Sequence, residues 1–140
     1  MFQHNIDDVA KITLTNNSGS RVFITDGTGK DLFVYEDNTK KEIHVPSFRQ
    51  FYIALVSAGV DGYSEIDSDV DVNTLEHNLT FEILLKSGEI LKYAFYSEST
   101  LRCYAVINGV GEFYTKREYV DRIATYADML MSGQVIESQT

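Results

Sequence analysis

The chain has no tryptophan, one proline, one cysteine and few basic residues, with 12 Lys and Arg against 21 Asp and Glu. Each scarcity excludes something. A single cysteine cannot form an intrachain disulfide. Cys103 stands between Arg102 and Tyr104 in an apolar, strand-like run. A buried, inert thiol is expected there, because one neighbouring arginine is too little to make a nucleophile. The formal net charge of −9 opposes binding to nucleic acid or an anionic membrane. It leaves a protein as the expected partner, a basic one among the options. No apolar run reaches the ~20 residues needed to span a bilayer, so no membrane insertion is expected. Residues Met1 to Asn5 have neither the basic nor the apolar region of a signal peptide. The compartment therefore turns on Met1: cytoplasmic if it is the native start, extracytoplasmic if it replaces a signal or anchor.

Motifs for chemistry are equally sparse. His4, His44 and His77 lie far apart, without the spacing of a metal site. Asp26-Gly27-Thr28-Gly29-Lys30 lacks the spacing of a phosphate loop and precedes a strand, so it reads as a hairpin turn. Asn16-Asn17-Ser18 and Asn78-Leu79-Thr80 fit the N-glycosylation triplet, which chance supplies often. Neither a cofactor, a metal nor an enzymatic activity is expected.

What is present is a foldable core. A chain of 140 residues, 44% of them aliphatic or aromatic, suits one domain spanning 1–140. Its nine tyrosines and eight phenylalanines favour strands. Short apolar runs around Val9–Leu14, Val22–Ile24, Leu32–Tyr35 and Ile43–Val45, separated by Asn, Asp and Gly, predict a four-stranded meander. Pro46 then suits a first helical turn. Phe48, Phe51, Tyr52, Leu55 and Val56 form one stripe of a helix capped at Gly59. Leu79–Leu85 and Ile90–Tyr96 flank a Ser87-Gly88 turn as a hairpin. Tyr104–Ile107 meets Asn108-Gly109, a preferred type I′ pair, and Glu112–Tyr114 continues as a strand. Thr115 to Glu118 reads as a capping box. It opens a helix with Tyr119, Val120, Ile123, Tyr126, Ala127 and Leu130 on one face, ending near Gly133. Residues 134–140 read as a flexible tail. The expected class is α+β: an antiparallel sheet of meander and hairpins, with two amphipathic helices on one face.

The candidate site lies in the acidic loop 60–78. Asp67, Asp69 and Asp71 alternate, with Asp61 and Glu65 upstream. Oxygen ligands in a loop can hold calcium, but Val72 stands where the calcium loop has glycine and Asn78 where it has glutamate. The alternation with Val70 and Val72 also suits the charged face of an edge strand. These carboxylates, with Tyr63, form the candidate protein-binding surface. Tyr35, Tyr63, Tyr93, Tyr96, Tyr104 and Tyr114 offer further contact area if exposed. Most are expected to fill the sheet–helix interface with their hydroxyls at its edge.

Several segments together resemble a bacterial envelope family, a domain of unknown function often found as tandem copies. Some copies occur in auxiliary subunits of gliding-type ABC transporters. The resemblance runs through Asp7–Leu14, Leu55–Gly59, Leu79–Gly88, Tyr104–Gly109 and Glu112–Tyr114, and the helix carrying Val120, Ile123 and Leu130. The family's tryptophan in the first meander and its proline before the central strand pair are missing here. The resemblance implies a non-catalytic binding or scaffolding module outside a bacterial membrane and carries over no catalytic residues. A rival expectation is a cytoplasmic acidic inhibitor, of the immunity or phage anti-defence kind, that blocks a basic site. A third is an enzyme with an unrecognised site, whose mark would be a deep pocket lined by perturbed carboxylates.

Overall fold

The computed structural model describes residues 6–17, 19–57, 62–64 and 70–136. The first three strands are β1 (Val9–Asn16), β2 (Gly19–Asp26) and β3 (Phe33–Glu36). After helix α1 (Val45–Ser57) comes the two-residue β4 (Gly62–Tyr63). Then follow β5 (His77–Leu85), β6 (Ile90–Ser97), β7 (Arg102–Ile107), β8 (Val110–Lys116) and helix α2 (Arg117–Ser132). The strands form one antiparallel sheet in the order β3-β2-β1-β5-β6-β7-β8-β4. Two meanders, β1 to β3 and β5 to β8, are thus joined where β1 pairs with β5. The α+β class and the antiparallel sheet are as expected.

The period-two alternation explains which face is buried. On β5, Leu79, Phe81, Ile83 and Leu85 point to the core. Ile12 stands opposite Ile83, and Leu14 opposite Phe81. Both helices lie on this face: Phe48, Phe51 and Leu55 of α1 and Val120, Ile123, Ala127 and Leu130 of α2 join one apolar cluster with the strands. Phe23 of β2 sits 5.9 Å from Phe48 and 5.5 Å from Phe51, edge-on to the latter, a favoured aromatic geometry. The Asn108-Gly109 turn has positive φ at both residues, 51° and 86°, as a type I′ hairpin requires. Gly133 ends α2 in the left-handed conformation, its N–H reaching the carbonyl of Leu130.

Three local expectations are corrected. The run Ile43–Val45 is not a strand. Glu42 makes one isolated bridge to Tyr35, Ile43 is buried, and Val45 already begins α1. The capping box is absent because Thr115 is the last inward residue of β8, fully buried opposite Cys103. Lys116 is instead the N-cap of α2, without a side-chain cap bond. The loop carboxylate Asp71 does not lie on an edge strand: it caps a short 3-10 turn, Val72–Thr74, by accepting from the Asn73 N–H at 3.0 Å. The proposed Gly59 cap lies outside the described residues. Beyond α2 the chain stays attached, three residues into the expected tail. Ile136 is buried, and its N–H donates to the buried Ser47 Oγ at 2.9 Å.

One carboxylate is part of the core. Glu36 is 1% exposed and accepts from Val22 N (2.9 Å), Thr39 N (2.8 Å) and Thr39 Oγ1 (2.9 Å). It closes the turn after β3 and ties it to β2. Burial works to raise its pKa, but the N–H groups of Val22, Thr39 and Asn38 and the Thr39 hydroxyl outweigh it and hold the carboxyl below its usual 4.5. A carboxyl with a lower pKa folded than unfolded stabilises the fold above the unfolded value. That contribution is lost as pH falls through the folded one. Glu36→Gln is expected to lower the unfolding free energy at neutral pH by about 1–3 kcal/mol, because an amide N–H₂ then faces a donor. Urea unfolding across the acid range checks it: the gap between wild type and variant narrows as pH drops below about 4.5.

Candidate functional site

Strand β8 organises the surface at one end of the molecule. Its residues alternate between the two faces of the sheet. On the helix side, Phe113 stands opposite Tyr63 of β4, with ring centroids 5.2 Å apart. Tyr63 is 73% exposed, on the edge strand and beyond the cover of the helices. Of the loop residues named as a candidate binding surface, Tyr63 and Asp71 are both exposed, Asp71 also capping its 3-10 turn. Asp61, Glu65, Asp67 and Asp69 lie outside the described residues.

On the face away from the helices, an aromatic row crosses the sheet. His77 pairs with Tyr96, Tyr96 with Tyr104, and Tyr104 with Tyr114. Of the tyrosines expected under the helices, Tyr93 is placed there, stacked on Phe81 at 4.8 Å, whereas Tyr96, Tyr104 and Tyr114 are not. Tyr104 is nonetheless 1% exposed. Its room comes from a glycine: a Cβ on Gly111 would sit 2.0 Å from Tyr104 Oη.

Next to this row lies a groove of about 520 Å³, within the usual size of ligand sites. Its walls come from the β6–β7 turn, the outward residues of β7 and β8, and the first turn of α2. Arg102, Tyr114, Lys116 and Arg117 line it with Thr100 and Leu101, and Glu118 and Asp121 close the helix side. Strand register explains the meeting. Arg102 is opposite Lys116 and diagonal to Tyr114, and its guanidinium lies 4.1 Å over the Tyr114 ring, a cation–π contact. Arg117 pins the turn, its backbone N–H donating to Leu101 O at 2.9 Å and its Nη2 to Ser99 O at 2.8 Å. Its Nε is buried without a partner among the described residues. Among those residues, neither Arg102 nor Arg117 has a carboxylate oxygen within 4.0 Å. Leu101 is 77% exposed.

Cys103 is fully buried beneath this corner. Burial raises its thiol pKa to about 11, against a smaller lowering by Arg117, which agrees with an unreactive thiol. Among the described residues no group of three or more His, Cys, Asp or Glu is placed to hold a metal. Among those residues no helix is long and apolar enough to cross a membrane.

Sequence reasoning missed the groove: it met Arg102 only as a neighbour of Cys103, and Lys116 and Arg117 only inside the stretch Thr115 to Glu118. The available signal was parity: Arg102 and Tyr104 share a face, as do Tyr114 and Lys116. The register that sets them side by side is not written in either strand alone. Comparison of the chain with protein-family models, curated proteins and solved structures gives no match.

Two outcomes follow from this geometry. Gly111→Ala is expected to cost about 1–3 kcal/mol of stability through overpacking against Tyr104, read from its denaturation midpoint. Cys103 should resist a thiol-specific reagent at mildly alkaline pH in the native protein and react fully once the chain is unfolded by denaturant.

Proposed function

We propose that this domain is a non-enzymatic binding or scaffolding module that holds a protein partner against its β4–β8 edge, in a protein associated with the bacterial envelope. The observation that carries the reading is Tyr63, 73% exposed on the edge strand and braced by Phe113. A large, rigid aromatic with a polar tip is the kind of side chain that anchors protein interfaces, at a low entropic cost on binding. The resemblance to the envelope family supports the setting.

A second reading is favoured by the charge of −9: an acidic inhibitor that covers a basic site. Attraction of that kind between exposed charges weakens as salt shortens the screening length, whereas aromatic burial does not.

The test is capture from lysate of the source organism on immobilised wild-type chain and on Tyr63→Ala, at low and high salt. The binding module predicts a salt-resistant partner whose affinity drops by about thirtyfold or more in Tyr63→Ala, the loss typical of an interface anchor. A basic partner held only at low salt, and held equally by Tyr63→Ala, would instead establish the inhibitor reading.

A further inference from the structure

We infer that the groove between the β6–β7 turn and the start of α2 is a ligand site for a monocarboxylate carried on an apolar body. This inference is independent of whether the β4–β8 edge meets a protein.

The first argument is the state of the arginines. In a chain where acidic residues outnumber basic ones by 21 to 12, a guanidinium should find a carboxylate easily. Arg102 and Arg117 line the same groove, and among the described residues neither has one within 4.0 Å. Neither is loose. Arg102 is laid on the Tyr114 ring at 4.1 Å, and Arg117 is fastened to Ser99 O at 2.8 Å. Held, planar donors without an internal carboxylate suit the forked recognition of an oxyanion.

The second argument selects the anion. Glu118 and Asp121 place two carboxylates in the lining beside the arginines. A single carboxylate meets the least repulsion from them. A phosphate dianion or a polyphosphate would meet the two carboxylates at contact and the acidic chain beyond. The third argument concerns the rest of the ligand. Leu101, 77% exposed, and the Tyr114 ring form an apolar wall beside the arginines, so the molecule attached to the carboxylate gains by being apolar or aromatic.

The experiment is a titration of the ¹⁵N-labelled full chain with sodium benzoate, followed by two-dimensional spectra that include the arginine Nε–H signals. The expected result is saturable shifts at Leu101, Arg102 and Arg117, the Arg117 Nε–H among them. Neutral benzamide should leave these signals in place. Arg102→Gln should weaken binding about tenfold, the effect of one charge-assisted hydrogen bond. Lys92→Gln, a cation paired with Glu82 away from the groove, should leave it unchanged. A leucine-ended peptide with a free terminus, set against its amide, identifies the source. Tighter binding than benzoate by the free peptide assigns the site to a protein C-terminus, and weaker binding assigns it to a small carboxylate. Absence of saturable shifts, equal shifts with benzamide, or inorganic phosphate binding as tightly as benzoate would each overturn the assignment. The wild-type titration with benzoate and benzamide decides it even if Arg102→Gln fails to fold.

Discussion

The pairing of β1 with β5 is the contact on which the rest of the structure depends. Each meander alone is a small sheet with one apolar face and two exposed edges. Joined antiparallel, with Ile12 opposite Ile83 and Leu14 opposite Phe81, they make one floor broad enough for both helices. The register has no slack. A slip of one residue would turn every apolar side chain of β1 to the uncovered face, and Phe23, positioned through β1, would lose Phe48 and Phe51. The groove depends on the same sheet at one remove, since β6 and β7 follow β5 outward.

What could be read from the chain is what short-range physics decides. The alternation along Leu79–Leu85 marks a strand, the stripe from Val120 to Leu130 marks a helix, and Asn108-Gly109 and Gly133 mark a turn and a cap because of the backbone conformations they accept. The misreadings fall where a distant contact overrides a local preference. Ile43 has the look of a strand residue, and its N–H does reach the Val34 carbonyl at 2.9 Å, but Pro46 and the Phe48–Phe51 stripe draw Val45 into the helix. Thr115 and Glu118 carry the letters of a capping box, yet the inward phase of β8 claims Thr115 first. A strand two residues long, such as β4, leaves no periodicity to read. The acidic surface is read from the alternation of Asp67, Asp69 and Asp71; Asp71 is exposed and also caps a turn, a second role that alternation does not announce. Arg102 and Arg117 are separated in sequence by a whole hairpin, so their meeting is a property of register.

The charge of the molecule acts on two scales. At distances beyond about 8 Å in physiological salt, individual charges are screened, and an approaching molecule feels an acidic body first. At contact, the groove is governed by its own lining, where guanidiniums held by an aromatic ring and a backbone carbonyl are the nearest groups. Such a surface discourages polyanions before they arrive while retaining donors for an anion small enough to enter. The edge at Tyr63 differs in kind, offering aromatic area rather than charge.

The hydrogen bond from Ile136 to Ser47 spans 89 residues, and its consequence lies in the order of assembly. As the chain leaves the ribosome, β1 to β3 and α1 emerge first, but β5, the second partner of β1, is not complete until residue 85. The buried hydroxyl of Ser47 receives its backbone donor only after residue 136. Contacts so far apart in sequence form slowly. During synthesis the first meander and its helix therefore wait with apolar faces open, an interval in which their company, whether a chaperone or a neighbouring chain, bears on how much native protein results.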